Sequence, residues 1–164
     1  MTAPVDAEVF RGLLRHQAST VTVVTAPGTP PVGFTATSFT SVSLVPPLVS
    51  FCLARTSSSW PTMAGADHVA VHLLAQGQQE LARTFATRGI DRFAAPTRWR
   101  VGPYGVPVLD GTLAWLVCRI VNRVAAGDHA VVLAEPLLAR HRDQDAPLLY
   151  HQGRYASLAG PLAA

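Results

Sequence analysis

Two long apolar segments joined by a tight-turn sequence are the feature that most constrains how this chain folds. The segments "TLAWLVCRIVNRV" and "HAVVLAEPLLARH" are largely apolar, and "AAGD" connects them. A connection this short predicts a β-hairpin with antiparallel strands, because parallel neighbours need a long crossover. The fold is therefore expected to be organised around an antiparallel strand pair.

The same alternation of strands and turns fills much of the preceding chain. The β-branched run "TVTVVTA" stops at "PGTPP", and "VGFTATSFTSVSL" and "PPLVSFCLAR" follow as further strand-like segments. Apolar residues at helical spacing predict an opening helix at about residues 6–18 and another helix in "QQELARTFAT". Most of the strands have hairpin-length links, which predicts a mainly β fold with flanking helices. We expect an antiparallel sheet that closes into a barrel over about residues 20–158.

Length and charge indicate one domain without a nucleic-acid surface. The 164 residues suit a single domain, residues 1–164. The 13 basic residues are all arginine, face 10 acidic ones and form no run, so the net charge is only +3. We expect no secretion signal, because the opening residues lack a basic stretch followed by an apolar one, and no uncharged apolar stretch reaches the roughly 20 residues of a membrane helix. We expect a soluble, cytoplasmic protein that binds neither nucleic acid nor membrane.

The residue types disfavour several familiar chemistries. The chain has no lysine, hence no P-loop or Schiff-base lysine, and contains neither G-x-G-x-x-G nor G-x-S-x-G. His68 and His72 lie four residues apart in a predicted strand, a separation of about 13 Å, which favours structural roles over a shared metal ion. Cys52 and Cys118 lie in apolar runs, where buried free thiols are expected and a disulfide stays an open alternative.

The unusual stretch is "TATSFTSVS" at residues 35–43, where six of nine residues carry hydroxyl groups. One interpretation is an amphipathic strand that shows threonine and serine to water, and the other is a wall that faces a planar polar ligand. Downstream, "ARTSSSW" places Arg55 and several serines between a strand and a short helix, which suits a phosphate group. A flat, phosphorylated cofactor accounts for both stretches.

These segments carry a resemblance to a known family. The run "VTVVTA…PVGFTATSFTSVSLVPPLVSFCLARTSSSW" resembles the flavin reductase-like family, the FMN-binding split barrels that serve two-component monooxygenases. "ELARTFA", "DRF", "PVLDGTLAWLVCRI", "GDH" and "PLLYHQGRY" follow in the family's order, so the resemblance covers about residues 20–155. It implies an antiparallel split β-barrel of the FMN-binding type.

The resemblance also implies site residues. Those expected to line the flavin ring are Thr35, Ala36, Thr37 and Ser38, with Ser41 and Val42 beside them. Those expected along the ribityl chain are Cys52, Leu53 and Ala54, and those expected to hold the phosphate are Arg55, Ser57 and Ser58. Those expected to meet the nicotinamide nucleotide are His129, the proposed catalytic residue, with Arg154 and Tyr155. Core packing for Cys52, a turn role for His129 and C-terminal packing for Tyr155 are the structural alternatives.

The function implied by the resemblance is that of an NAD(P)H:flavin oxidoreductase. It would transfer a hydride from NADH or NADPH to FMN or FAD and supply reduced flavin to a partner monooxygenase, working as a homodimer. One alternative is a flavin- or haem-binding carrier or sensor on the same barrel, and another is a pyridoxamine-phosphate-oxidase-like enzyme. The residues implied to meet the nicotinamide favour the reductase, because a carrier needs no such site.

Overall fold

The computed structural model describes residues 3–143 and 145–158, so residues 1–2, 144 and 159–164 of the expected domain lie outside the described residues. The helices of the described part are α1 (Ala7–Leu14), α2 (Trp60–Gly65) and α3 (Gln79–Ala86), and a 3₁₀ turn spans Pro103–Gly105. The strands are β1 (Ser19–Thr20), β2 (Thr22–Ala26), β3 (Val32–Ala36), β4 (Thr40–Leu44), β5 (Pro47–Ala54), β6 (His68–Leu73), β7 (Trp99–Val101), β8 (Pro107–Leu109), β9 (Ala114–Ala126), β10 (His129–His141), β11 (Leu149–His151) and β12 (Arg154–Ala156). None of the helices found in these ranges is both long and apolar enough to cross a bilayer.

A seven-stranded sheet forms the body of the molecule, in the order β3-β2-β6-β9-β10-β5-β4. Every neighbouring pair in it is antiparallel. The long β9–β10 hairpin lies near its middle, and a two-residue turn joins its strands where the sequence predicted one. The predicted mainly β, antiparallel architecture with flanking helices is confirmed.

The sheet curls so that β3 approaches β5, although the two strands are five places apart in the strand order. The rings of Phe34 on β3 and Phe51 on β5 lie 6.0 Å apart, centre to centre, within the apolar core. Just beyond β3, the Ser38 hydroxyl accepts a hydrogen bond of 2.9 Å from the backbone N–H of Cys52. These contacts bring the two sides of the sheet together as a split barrel, with the core between them.

His72 on β6 is a fully buried link between three strands. Its Nδ1 lies 3.0 Å from the carbonyl oxygen of Val23 on β2, and its Nε2 accepts from the backbone N–H of Leu109 on β8 at 3.0 Å. These partners fix a neutral ring that carries its proton on Nδ1. Burial lowers the pKa of His72 to about 4. The structural role expected for this histidine is confirmed.

Two features differ from the sequence predictions. Helix α1 begins after Asp6, whose side chain accepts from the backbone N–H groups of Glu8 and Val9, but it ends at Leu14 rather than near residue 18. The chain must be extended soon afterwards because β1 pairs with β11. Both cysteines are free, but only Cys118 is buried. Cys52 is half-buried, because it lies on the curled β5 beside a cavity rather than inside the core.

Candidate flavin site

A cavity of about 270 Å³ opens where β3, β5, the end of α3 and the start of β10 meet. Seven of the residues singled out in the sequence line it, namely Thr35, Cys52, Leu53, Ala54, Ser57, Ser58 and His129. Five other residues complete its wall, namely Phe34, Phe85, Ala86, Arg88 and Arg92. The fold therefore brings together residues from four separate elements. The first and last of them, Phe34 and His129, are 95 positions apart in the sequence.

The hydroxyl-rich segment is only partly directed at this cavity. Thr35 lines it, yet its hydroxyl already donates to the carbonyl oxygen of Ala82 on α3 at 2.6 Å. Ser38 bonds to Cys52 and helps to close the barrel. The remaining expected ring contacts do not line the cavity: Ala36 is buried, whereas Thr37, Ser41 and Val42 are exposed. Two of the hydroxyls thus stabilise the fold directly, which fits the structural interpretation as well as the functional one.

The turn after β5 holds the hairpin that carries His129. The Arg55 backbone N–H donates to the carbonyl oxygen of Asp128 at 3.0 Å, and its guanidinium donates to that of Gly127 at 2.5 Å. Arg55 does not line the cavity, although it was expected at the phosphate. Ser57 and Ser58, two and three residues later, do line it.

His129 reaches the cavity because it is the first residue of β10, directly after a tight turn, and β10 pairs with β5 there. Gly127 adopts φ of +60° in this turn, a conformation that glycine adopts readily, and His129 is paired with Ala54. The ring nitrogen Nδ1 lies 2.6 Å from a carboxylate oxygen of Asp128. That hydrogen bond lowers the pKa of the Asp128 carboxyl. A neutral His129 held in this way carries its proton on Nδ1 and leaves Nε2 as an acceptor for a ligand.

Two arginines that were not singled out in the sequence supply the positive charge. The Arg92 guanidinium donates to the carbonyl oxygens of Gly33 and Thr87 at 2.6 and 3.0 Å, which fixes it against β3. Partial burial and the neighbouring charge of Arg88 lower the pKa of Arg92. Within residues 3–143 and 145–158, neither arginine forms an ion pair with a carboxylate. Such uncompensated guanidinium groups are suited to bind a phosphate.

A second cavity of about 410 Å³ adjoins the first and shares Ser58 and Arg92 with it. The stretch 30–33, which leads into β3, forms one side, and residues 89–93, which contain the "DRF" motif, form the other. The junction of the two cavities thus carries a hydroxyl and a guanidinium group.

The C-terminal hairpin, β11–β12, contributes no residue to either of these two cavities. Tyr155 packs against Tyr150 with ring centres 5.3 Å apart, and the Arg83 guanidinium carbon lies 5.4 Å from the centre of its ring. Burial raises the pKa of Tyr155. Tyr155 lines a different cavity, of about 330 Å³, and Arg154 lines neither of the two cavities near His129. A single chain therefore does not bring Arg154 and Tyr155 into the His129 cavity.

Comparison with known proteins decides the family. The flavin reductase like domain family matches residues 14–159, nearly the whole chain. The chain belongs to this family. An NADH:FMN oxidoreductase from Rhodococcus erythropolis is 47% identical to this flavin reductase family member over 153 residues, which cover 89% of this chain and 79% of that protein. The reductase subunit HsaB of a flavin-dependent monooxygenase from Mycobacterium tuberculosis is 33% identical, with 96% of this chain and 86% of that protein covered.

Solved structures of family members share the fold of this chain. A flavin reductase domain protein from Arthrobacter superposes with a TM-score of 0.90 at 39% identity, over 97% of this chain and 99% of that one. The NADH:FAD oxidoreductase SgcE6 from Streptomyces globisporus, solved with NAD and FAD fragments, gives a TM-score of 0.89 at 34% identity, over 96% and 98% of the chains. The split-barrel class predicted from the sequence is thus confirmed.

Proposed function

We propose that this protein is an NAD(P)H:flavin oxidoreductase that reduces FMN or FAD and supplies the reduced flavin to a partner monooxygenase. The observation that carries the proposal is the single cavity in which Ser57, Ser58, Arg88, Arg92 and His129 converge beside β3 and β5. The relatives named as NADH:FMN oxidoreductase and as a monooxygenase reductase subunit support it. When both nucleotides are bound, the nicotinamide supplies a hydride to the flavin.

The residues present fit a flavin nucleotide. Ligand pockets usually measure about 300–1,000 Å³, and the two adjoining cavities of about 270 and 410 Å³ fall in that range when taken together. In the proposed arrangement, Ser57 and Ser58 bind the phosphate with Arg88 and Arg92, and Arg55 supports the same turn. Contacts with the ring and the ribityl chain are assigned to the segments 35–38, 41–42 and 52–54.

The chain's own part in the reaction is to hold two flat rings against each other. The protein gains rate by orienting the rings and excluding water, which needs no nucleophile from the chain. We assign to His129 a contact with the nicotinamide nucleotide through Nε2, because Asp128 occupies Nδ1. Asp128 thus acts on the substrate only through His129, as a positioning residue.

We further propose a homodimer, in a cytoplasmic protein whose chain forms one domain. The apolar residues Val9, Phe10 and Leu13 of α1 are 63%, 54% and 64% exposed, and α1 buries no residue in its own chain. A second copy that covers this face would remove the exposed apolar area from water. Since one chain keeps Arg154 and Tyr155 apart from His129, their proposed contact with the nicotinamide nucleotide is assigned to the interface of that dimer.

Steady-state oxidation of NADH and NADPH tests the function. The wild type should oxidise a nicotinamide nucleotide only when FMN or FAD is added. His129→Ala should raise the KM for that nucleotide or slow turnover while the affinity for flavin stays close to that of the wild type. His68→Ala, which removes a histidine stacked on Tyr104 and outside the cavity, is the matched control. Flavin binding without any flavin-dependent oxidation would favour the carrier instead.

A further inference from the structure

A second group of arginines lies at the other end of the β9–β10 hairpin from His129. The turn between β8 and β9, the start of β9 and the end of β10 enclose a cleft of about 160 Å³. Trp115 lies in this cleft and Ala126 ends β9 beside the His129 turn. Eleven residues separate them, which corresponds to roughly 35 Å along the strand at about 3.3 Å per residue. The cleft is therefore separate from the proposed flavin site.

Three guanidinium groups line this cleft, those of Arg100, Arg140 and Arg142. Arg100 pairs with Asp110 at 2.9 Å. Arg142 donates to the carbonyl oxygen of Gly111 at 2.5 Å and lies 3.3 Å from the Asp145 carboxylate.

The charge of Arg140 has no such partner. Its guanidinium donates to the carbonyl oxygen of the adjacent Ala139 at 3.0 Å. It forms no ion pair with any carboxylate in the described part of the chain. His141 also lines the cleft, but it pairs with Asp143. The lining therefore carries three arginines against the single carboxylate of Asp110.

Thr112 is a second, independent feature that suits the cleft to a polar ligand. Its side chain is only 5% exposed, and its hydroxyl has no hydrogen-bond partner among the described residues. Thr112 lies in the turn that forms one wall, next to Gly111. Buried hydroxyls nearly always have a partner, so the Thr112 hydroxyl is available to bond to a ligand that enters the cleft.

We propose that this cleft is a second anion site, which binds a phosphate group through Arg140, Arg142 and Thr112. A volume of about 160 Å³ equals that of about five water molecules in the liquid, and phosphate has about as many heavy atoms. Guanidinium groups bind phosphate oxygens in a two-pronged manner, and the threonine hydroxyl donates to a third oxygen. The ligand is either free inorganic phosphate or the phosphate group of a nucleotide, since both present the same oxygen atoms to the two guanidinium groups and the hydroxyl.

Calorimetric titration with inorganic phosphate, on protein saturated with FMN, tests the proposal. The bound FMN keeps phosphate out of the flavin cavity. Any remaining binding that is lost in Arg140→Gln reports on the cleft rather than on the proposed nicotinamide site, which lacks Arg140. We expect one site per chain in the wild type. Arg140→Gln should weaken it about tenfold or more. Arg11→Gln is the matched control, because it removes the same charge from the exposed surface of α1 and should leave phosphate binding unchanged.

Two variants of Thr112 separate its hydroxyl from its packing. Thr112→Val removes the hydroxyl at similar volume and should weaken phosphate binding, whereas Thr112→Ser keeps the hydroxyl and should restore it. A parallel titration with AMP, on the wild type and on Arg140→Gln, identifies the source. Arg140-dependent binding that is tighter than that of phosphate assigns a nucleotide, and Arg140-dependent binding that is equal or weaker assigns free phosphate. Either AMP result supports the site once phosphate itself binds.

Three results would overturn the proposal. They are no phosphate binding in the presence of FMN, equal binding by the wild type and Arg140→Gln, and equal binding by Thr112→Val and Thr112→Ser. Flavin-dependent NADH oxidation, measured on the same proteins without phosphate, should be that of the wild type in all of them. A failure of the anion site is thereby distinguished from a failure of the proposed reductase function.

Discussion

At the scale of single residues, His72 makes the stability of the fold dependent on pH. Its folded-state pKa of about 4 lies below the ordinary value of 6.5, so the unfolded chain binds the proton more readily. The contribution of His72 is therefore fully present above about pH 6.5 and is lost as the pH falls towards 4. The difference corresponds to about 3 kcal/mol of unfolding free energy.

Urea unfolding between pH 7 and pH 4 measures this dependence. The wild type should lose more stability over that range than His72→Gln, which has no imidazole to titrate, although the variant is less stable at pH 7. An NMR titration of the wild type should in addition show the His72 ring still neutral at pH 5. Equal pH dependence in the two proteins, with a ring that titrates near pH 6.5, would refute this role.

Arg88 offers the cleanest test of the phosphate contact, because Arg92 is also bonded to β3 and Arg55 to the β9–β10 turn. Arg88→Ala should weaken FMN binding by about tenfold or more, since a hydrogen bond to a charged group contributes roughly 1.5–3 kcal/mol. Riboflavin lacks the phosphate, so its affinity should stay unchanged. Flavin fluorescence titration measures both affinities, with the exposed Arg98→Ala as control.

Arg55→Ala provides a comparison within the same assay. If Arg55 holds the phosphate, this variant also weakens FMN and spares riboflavin. Equal losses for both flavins would mean that Arg55 acts through its bond to Gly127 and is not a phosphate ligand. Equal losses in Arg88→Ala would remove Arg88 from the phosphate site in the same way.

The residues of the cavity show what a sequence can and cannot predict about the site. Ser57 and His129 were found because they stand in family motifs, "ARTSSSW" and "GDH". Arg88 and Arg92 were missed because they follow Ser57 and Ser58 by 30 or more residues. At that distance, a solitary arginine in the sequence looks the same as a solvated surface charge. Only the docking of α3 on β3 brings them to the cavity, and "DRF" was the one motif that could have signalled Arg92.

At the scale of elements, the turn of the β9–β10 hairpin determines where His129 lies. Gly127 has φ of +60°, which costs other residues about 1–2 kcal/mol. Gly127→Ala should therefore lower the unfolding free energy by about that amount and, by displacing the start of β10, raise the KM for the nicotinamide nucleotide. Thermal unfolding and steady-state kinetics measure the two effects.

Gly12→Ala is the matched control for this substitution. Gly12 lies inside α1 with open space where a Cβ would be, so alanine should stabilise the helix by up to about 1 kcal/mol and leave the kinetics unchanged. Unchanged stability and kinetics in Gly127→Ala would mean that the turn does not require glycine and does not position His129.

Strand pairing was more predictable than helix length. The hairpin β9–β10 follows from long apolar segments around a short turn, which local sequence encodes directly. The end of α1 is set by the pairing of Ser19 with Tyr150, a contact across more than 130 residues that no local pattern contains. The approach of β3 to β5 likewise depends on a curl of the whole sheet rather than on either strand alone.

At the scale of the whole molecule, the apolar face of α1 predicts a dimer. Phe10→Glu places a charge in the centre of that face, where Val9 and Leu13 are also exposed. Sedimentation should show a dimeric wild type and a mostly monomeric variant, with Glu8→Gln on the same helix as control. A monomeric wild type would refute the dimer. A dimeric Phe10→Glu would mean that the interface lies on another face. Neither result would bear on the flavin cavity, because residues of one chain line it.

The proposed function requires that the protein bring a nicotinamide and a flavin together for direct hydride transfer. Anaerobic stopped-flow mixing of the protein and FMN with NADH tests it most directly, by following the loss of the visible absorption of the oxidised flavin. Rapid loss that slows when the transferred hydrogen of NADH is replaced by deuterium is the expected result, repeated with FAD and NADPH to define the preferred pair. An absorption decay no faster than that of the same mixture without protein would refute the proposed reductase function.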